Sequence, residues 1–183
     1  MLYSVSMSTY DALRLLNLVV MHSDTLPQED LDFVISSLHS KNEDIAVAAG
    51  LLLGELSKDQ VLAFLKTFHE LPETNQQLLV VFLSFCRYVE CFSFLFTLFE
   101  TTANGLLKDI LFLSLSETPY FTPPLILSRL DAASPSTLEN YRLLMQNMGI
   151  KKFETYLALL PSLPFETFLR DTFGDSAIDK IKY

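Results

Sequence analysis

Apolar residues recur along this chain at three- and four-residue spacing, in stretches of about three helical turns separated by short polar turns. Asn42-Glu43-Asp44 leads into Ile45–Leu56, Glu73-Thr74-Asn75 into Gln76–Val89, and Thr102-Ala103-Asn104 into Gly105–Ser116. Another helix precedes each turn. The pattern predicts helices over 9–22, 27–39, 44–56, 59–71, 75–88, 91–101, 105–116, 124–131, 136–148, 151–160 and 165–173, with a short turn over 176–182. No long stretch alternates apolar and polar residues, and no Asn-Gly or Asp-Gly hairpin turn occurs, so strands are not expected. Four starts have capping-box spacing: Thr25 to Gln28, Ser57 to Gln60, Thr74 to Gln77 and Ser136 to Glu139. There a hydroxyl can accept from an unpaired backbone amide while the Gln or Glu reaches back to the cap.

The hairpins repeat about every 30 residues, and one hairpin cannot bury its apolar face alone, so neighbours must stack. Ile45, Ala48, Ala49, Leu52, Leu53 and Leu56 share one helical face. The same template falls on Asn75, Leu78, Leu79, Phe82, Leu83 and Cys86, then on Ala103, Leu106, Leu107, Ile110, Leu111 and Ser114, and again on Tyr141, Leu144, Met145 and Met148. The register drifts between copies, which keeps a non-repetitive helical bundle open as the competing architecture. Segment 42–56 resembles the second helix of a HEAT-type repeat through Asp44, Ala48-Ala49 and Leu53-Gly54-Glu55-Leu56. The arginine usual after the β-branched position is missing, since Ala46 and Val47 follow Ile45. The resemblance extends over 27–116 and implies an all-α fold of antiparallel helical hairpins, stacked as a short HEAT-like α-solenoid with a divergent C-terminal cap. Ala49, Gly50 and Gly54 are small enough to let another helix approach, which offsets glycine's helical cost of about 1 kcal/mol. One domain over 1–183 is expected. Thr118–Pro124 is a possible internal break, and Leu160–Pro164 a second interruption.

Composition narrows the partners. The formal net charge is −9, so phosphate-rich surfaces are repelled, and neither nucleic acid nor an anionic membrane is an expected partner. Half of the residues are hydrophobic, and mean hydropathy is +0.30. Leu78–Phe99 is long enough to span a bilayer, but Arg87 and Glu90 would each cost about 2.5–3.5 kcal/mol near its centre. Turn chemistry also divides the stretch, which therefore reads as a buried hairpin. Met1-Leu2-Tyr3-Ser4 lacks a positive n-region, and Leu15–Met21 reads as an amphipathic helix, not a signal peptide. Cys86 and Cys91 are the only cysteines, too close to staple distant segments and without CxxC spacing. A reducing cytoplasm and a buried thiol at Cys86 are expected.

Chemistry-bearing motifs are sparse. No GxSxG elbow, Walker A loop or GxGxxG turn occurs. His22, His39 and His69 fall at helix C-termini, where a protonated imidazole complements the helix dipole, and none has metal-ligand spacing. Glu29-Asp30 and Glu43-Asp44 start helices, where negative charge is favourable. Neither catalysis nor a cofactor nor a metal site is expected. The outward face of the second helices carries Val47, Leu51 and Glu55, then Gln77, Val81 and Ser84, then Lys108, Asp109 and Phe112. That mixture of apolar and polar groups suits a protein or peptide groove. In the run 91–99, Phe92, Leu95, Phe96 and Phe99 form the core stripe while Phe94 and Leu98 point away from it, as core or as interface. The expected function is a non-catalytic protein-interaction module or scaffold. The alternative is a structural subunit of a larger, membrane-associated complex, with the Phe-rich 78–99 hairpin as its buried contact.

Overall fold

A computed structural model describes residues 11, 13–15, 17–18, 25–118, 121–153 and 163–182. Among these residues the regular structure is helical throughout, with no strand. After helical residues at 11, 13–15 and 17–18 come α1 (Gln28–Leu38), α2 (Glu43–Leu53), α3 (Lys58–Leu65), α4 (Glu73–Leu83) and α5 (Val89–Thr101). Then follow α6 (Gly105–Ser116), α7 (Thr122–Arg129), α8 (Pro135–Met148), α9 (Leu163–Phe173) and α10 (Asp175–Lys182). Short 3-10 turns occupy Phe68–Glu70, Leu130–Ala132 and Ile150–Phe153. Among the described residues no helix is long and apolar enough to cross a membrane, and the 78–99 stretch is broken between α4 and α5. Its division into two helices matches the turn chemistry of its sequence.

The chain forms two compact units, Met1–Leu95 and Phe96–Tyr183, with the boundary inside α5. In the first unit, Arg14 from the leading stretch pairs with Asp30 at 2.9 Å and lies over the Phe33 ring. Helix α1 buries Leu31, Val34 and Leu38 along one stripe, and α2 buries Ile45, Ala46, Ala49, Leu52 and Leu53. Helix α2 packs against both α1 and α4. Gly50 makes the second contact possible: a Cβ placed there would lie 2.5 Å from the Phe82 ring of α4. Gly54 does a different job from the one its spacing suggests. It is the C-cap of α2 and meets only ordinary contact, so it ends the helix without serving the close approach.

Polar side chains tie this unit together by reaching back about one hairpin. The Gln60 carboxamide exchanges two hydrogen bonds with the Leu26 backbone, 34 residues earlier. Buried Asn75 donates to the carbonyls of Leu38 and Ser40, 37 and 35 residues earlier, and so satisfies acceptors exposed at the end of α1. The Tyr88 hydroxyl donates to the Leu56 carbonyl, 32 residues earlier. These bonds also correct the capping expectations. Helices α1 and α4 are entered through Pro27 and Pro72, Ser57 makes no cap bond, and α8 is capped by Ser134 in place of Ser136. Gln60 bonds outside its own helix start, because a backbone pair at Leu26 is within its reach.

In the second unit, α6 packs on α8, α8 on α9, and α9 on α10. Tyr141, Leu144, Met145 and Met148 are all buried, as their spacing predicts. Of the third template copy, Leu107 and Leu111 are buried while Leu106 is 58% exposed. The stretch expected as a short turn over 176–182 is helix α10, opened by Gly174 at φ +85° and fastened by Arg170, which pairs with Glu166, Asp175 and Asp179. Most of the helix expected over 151–160, residues 160–162 of the break expected at Leu160–Pro164, and His22 lie outside the described residues, while Leu163 and Pro164 begin α9. The part that is described, 150–153, is a 3-10 turn.

Candidate functional site

A concavity of about 460 Å³ in the second unit is lined by α6 and α8, with Phe99 of α5. Local chemistry sets both walls. Asn104 accepts from the Leu107 amide at 3.0 Å, while the Thr102 hydroxyl accepts from the Asn104 amide at 3.2 Å, so α6 starts firmly at Gly105. On the other wall, the Ser134 hydroxyl accepts from the Thr137 amide, and Pro135 supplies a helical φ at the first position of α8. At the far end the Asn147 carboxamide donates to the Ser116 hydroxyl at 2.8 Å, and the Lys152 ammonium donates to the Ser116 carbonyl at 3.3 Å. Ser116 is buried, and its hydroxyl donates back to the carbonyls of Phe112 and Leu113.

The floor is aromatic. Phe99 and Phe112 lie 6.5 Å apart between ring centroids, and the Lys108 ammonium sits 5.6 Å over the Phe99 ring. The rim is polar, with Lys108 and Asp109 on α6 and Asn140 and Asn147 on α8; Leu143 stands between the asparagines and is 47% exposed. Positions 140 and 147 are two helical turns apart, a span of about 10 Å, or about three residues of an extended chain. An apolar floor with a few convergent polar groups is the usual composition of a binding cleft, and the volume lies in the range of about 300–1,000 Å³ typical of such sites.

A second cluster lies nearby in the same unit. Glu100 at the end of α5 accepts hydrogen bonds from the Arg129 guanidinium and from the Tyr141 hydroxyl, and Arg129 also donates to Thr97. Burial, followed by the bond to Glu100, pushes the Tyr141 hydroxyl above its ordinary range. Each Glu100 oxygen has a donor, so the carboxylate is clamped, and its role is to fasten α7 and α8 to α5. A cavity of about 360 Å³ beside it is lined in part by Ser134 and Thr137.

The residues expected from sequence to form one binding face are placed as follows. Lys108 and Phe112, with Asp109, line the groove together. In the first unit Leu51 and Val81 are exposed, at 55% and 40%, while Val47 and Gln77 are half-buried and Glu55 is exposed. Ser84 caps the end of α4, with its hydroxyl donating to the Val81 carbonyl. Phe94 is half-buried, with its ring 5.1 Å from that of Phe68, and Leu98 is buried. Asn140, Leu143 and Asn147 were not among the candidates. Their signal is a polar–apolar–polar triplet at i, i+3 and i+7, which the core stripe one position further on conceals. His39 and His69 are both exposed at helix ends, and His69 also packs edge-on against Phe68. Compared with family models, with curated proteins and with solved structures, the chain shows no significant match.

Proposed function

We infer that this chain is a non-catalytic helical-repeat module that binds another protein through the second helices of its hairpins. Its specific seat is the groove between α6 and α8, occupied by a partner segment carrying one large apolar side chain. That side chain meets Phe99, Phe112 and Leu143, and the partner's backbone lies within reach of the Asn140 and Asn147 carboxamides. The observation that carries the reading is the 460 Å³ groove itself, because residues singled out as an outward face, Lys108 and Phe112, form its wall. The HEAT-like, stacked arrangement is supported by the hydrogen bonds within each unit. Those that reach back to an earlier helix span 32 to 37 residues in the first and 29 to 41 in the second. Two free cysteines agree with a reducing compartment such as the cytoplasm.

The test is selection of peptides from a random displayed library on the full chain. Selected sequences should share a large apolar residue, and Leu143→Glu should weaken their binding at least about tenfold, as loss of an anchor contact does. Equal binding to a folded Leu143→Glu variant would remove the groove from the proposal. One observation favours a second reading, a subunit buried in a larger assembly through the 78–99 hairpin: Phe85 is 83% exposed and Val89 50% exposed at the hairpin's tip. Light scattering separates the two, since a monomer that stays monomeric at high concentration removes self-assembly through that tip.

A further inference from the structure

The groove leaves unused a reactive pair in the first unit. Cys86 lies in the connection between α4 and α5, and Cys91 lies in the first turn of α5. Both are free, and their sulfurs are 3.2 Å apart, with the Cys91 thiol donating to the Cys86 sulfur. A disulfide S–S bond is about 2.0 Å long, so the two sulfurs need to close by only about 1.2 Å. The backbone of Tyr88 and Arg87 and the Arg87 charge also favour the ionised form of Cys86. These influences together favour a thiolate at Cys86.

We propose that Cys86 and Cys91 form a reversible dithiol–disulfide switch, in which Cys86 is the sulfur that reacts with a small peroxide and Cys91 is the thiol that resolves it. The surrounding charges suit that division. The hydrogen bond from Cys91 comes first, then the backbone of Tyr88 and Arg87 and the Arg87 charge; against burial they hold the Cys86 thiol down at about 7. The bond to Cys86, burial and the Glu90 charge push Cys91 up, so it keeps its proton until Cys86 has reacted. Glu90 is itself paired with Lys58 across from this turn. Cys86 is buried and stands in sequence between exposed Phe85 and exposed Arg87, and its burial is why the proposal names a small oxidant.

The steps balance. The Cys86 thiolate attacks one oxygen of hydrogen peroxide, the O–O bond breaks, and Cys86 becomes a sulfenic acid as hydroxide departs. The Cys91 sulfur then attacks the sulfenic sulfur, and the S–O bond breaks. The Cys91 proton goes to the departing hydroxide, and water leaves. Two thiols are oxidised and one peroxide is reduced, and the hydroxide of the first step takes up the proton lost when Cys86 ionised. The product joins the end of the α4–α5 connection to the first turn of α5. It thereby locks the turn that holds Tyr88 on the Leu56 carbonyl. This switch does not depend on the groove and stands or falls separately from it.

Intact-mass measurement on the reduced full chain, before and after hydrogen peroxide, tests the switch. The folded wild type should lose the mass of two hydrogens, lose both free thiols and recover them with dithiothreitol. Under dimedone the Cys91→Ser variant should carry the adduct on Cys86, at least about ten times as much as the Cys86→Ser variant carries on Cys91. Thiols that persist in the folded wild type, under peroxide that oxidises the urea-unfolded chain, would overturn the proposal. Oxidation only to sulfinic acid or to intermolecular dimers would overturn it as well. The wild-type measurement decides the matter even where a serine variant fails to fold.

Discussion

The two units close the same kind of seam in opposite ways. Between α2 and α4, Ala46, Gly50, Asn75, Leu79 and Phe82 meet with no void large enough for a water molecule. Between α6 and α8, a cavity of about 460 Å³ stays open. The register that aligns Ala49 with Leu107 sets Gly50 against Lys108 and Gly54 against Phe112. At the Gly50 position, where the first unit has no side chain against its neighbour, the second has the long Lys108 cation, which lines the groove together with the Phe112 ring. The fastening differs too. The first unit is braced by carboxamides and a hydroxyl on backbone carbonyls, which pull helices together at their ends. The second adds to the Asn147 and Lys152 bonds on Ser116 the Glu100–Arg129–Tyr141 clamp, with Arg129 also 4.9 Å over the Phe96 ring. Small residues at the contact go with a solid seam, whereas bulky residues at the matching positions line an open one.

The largest test of this contrast is Glu100→Ala. It strips the clamp and leaves the Arg129 charge and the Tyr141 hydroxyl without their shared acceptor. The expected loss is about 3 kcal/mol, at the lower edge for a broken buried pair because Glu100 keeps some solvent. Urea unfolding of the full chain measures it, and a loss below about 1 kcal/mol, the level of an exposed pair, would show that packing holds the second unit. Asn75→Ala comes next, at about 2 kcal/mol, since the Leu38 and Ser40 carbonyls lose a shared donor. Little change there would mean that solvent replaces the brace. Gly50→Ala is the smallest, a net loss of about 1 kcal/mol, because crowding against the Phe82 ring outweighs the helical gain. Adding Phe82→Leu should recover that loss, and a Gly50→Ala variant more stable than the parent would show that the seam has slack.

What could be read from the sequence follows from the range of each force. Helix extents depend on local periodicity and turn residues, so α6 spans 105–116 and α8 begins within one residue of the expected start. The fourfold stripe of Tyr141, Leu144, Met145 and Met148 was equally plain, because a 3.6-residue period needs no knowledge of the partner. The braces were hidden. Asn75 reads as the one polar exception on an apolar face, and only the end of α1 beside it explains its burial. Glu100 and Arg129 lie 29 residues apart, and no local pattern links them. The groove was half visible. Lys108 and Phe112 were found from their outward position, but Asn140, Leu143 and Asn147 lie in a stretch regarded as a terminal cap. Cys86 and Cys91 have no familiar spacing, and only the tight α4–α5 connection brings their sulfurs together.

The braces that reach back one hairpin determine which changes in chain length the fold can absorb. Duplicating a full helix pair would carry each donor along with a matching acceptor, so the ties could re-form in the new copy. Inserting one residue in α4 would swing Asn75 or Tyr88 off its carbonyl and leave buried acceptors bare. Changes in chain length should therefore gather at the joints between helices and spare the helices that carry these donors.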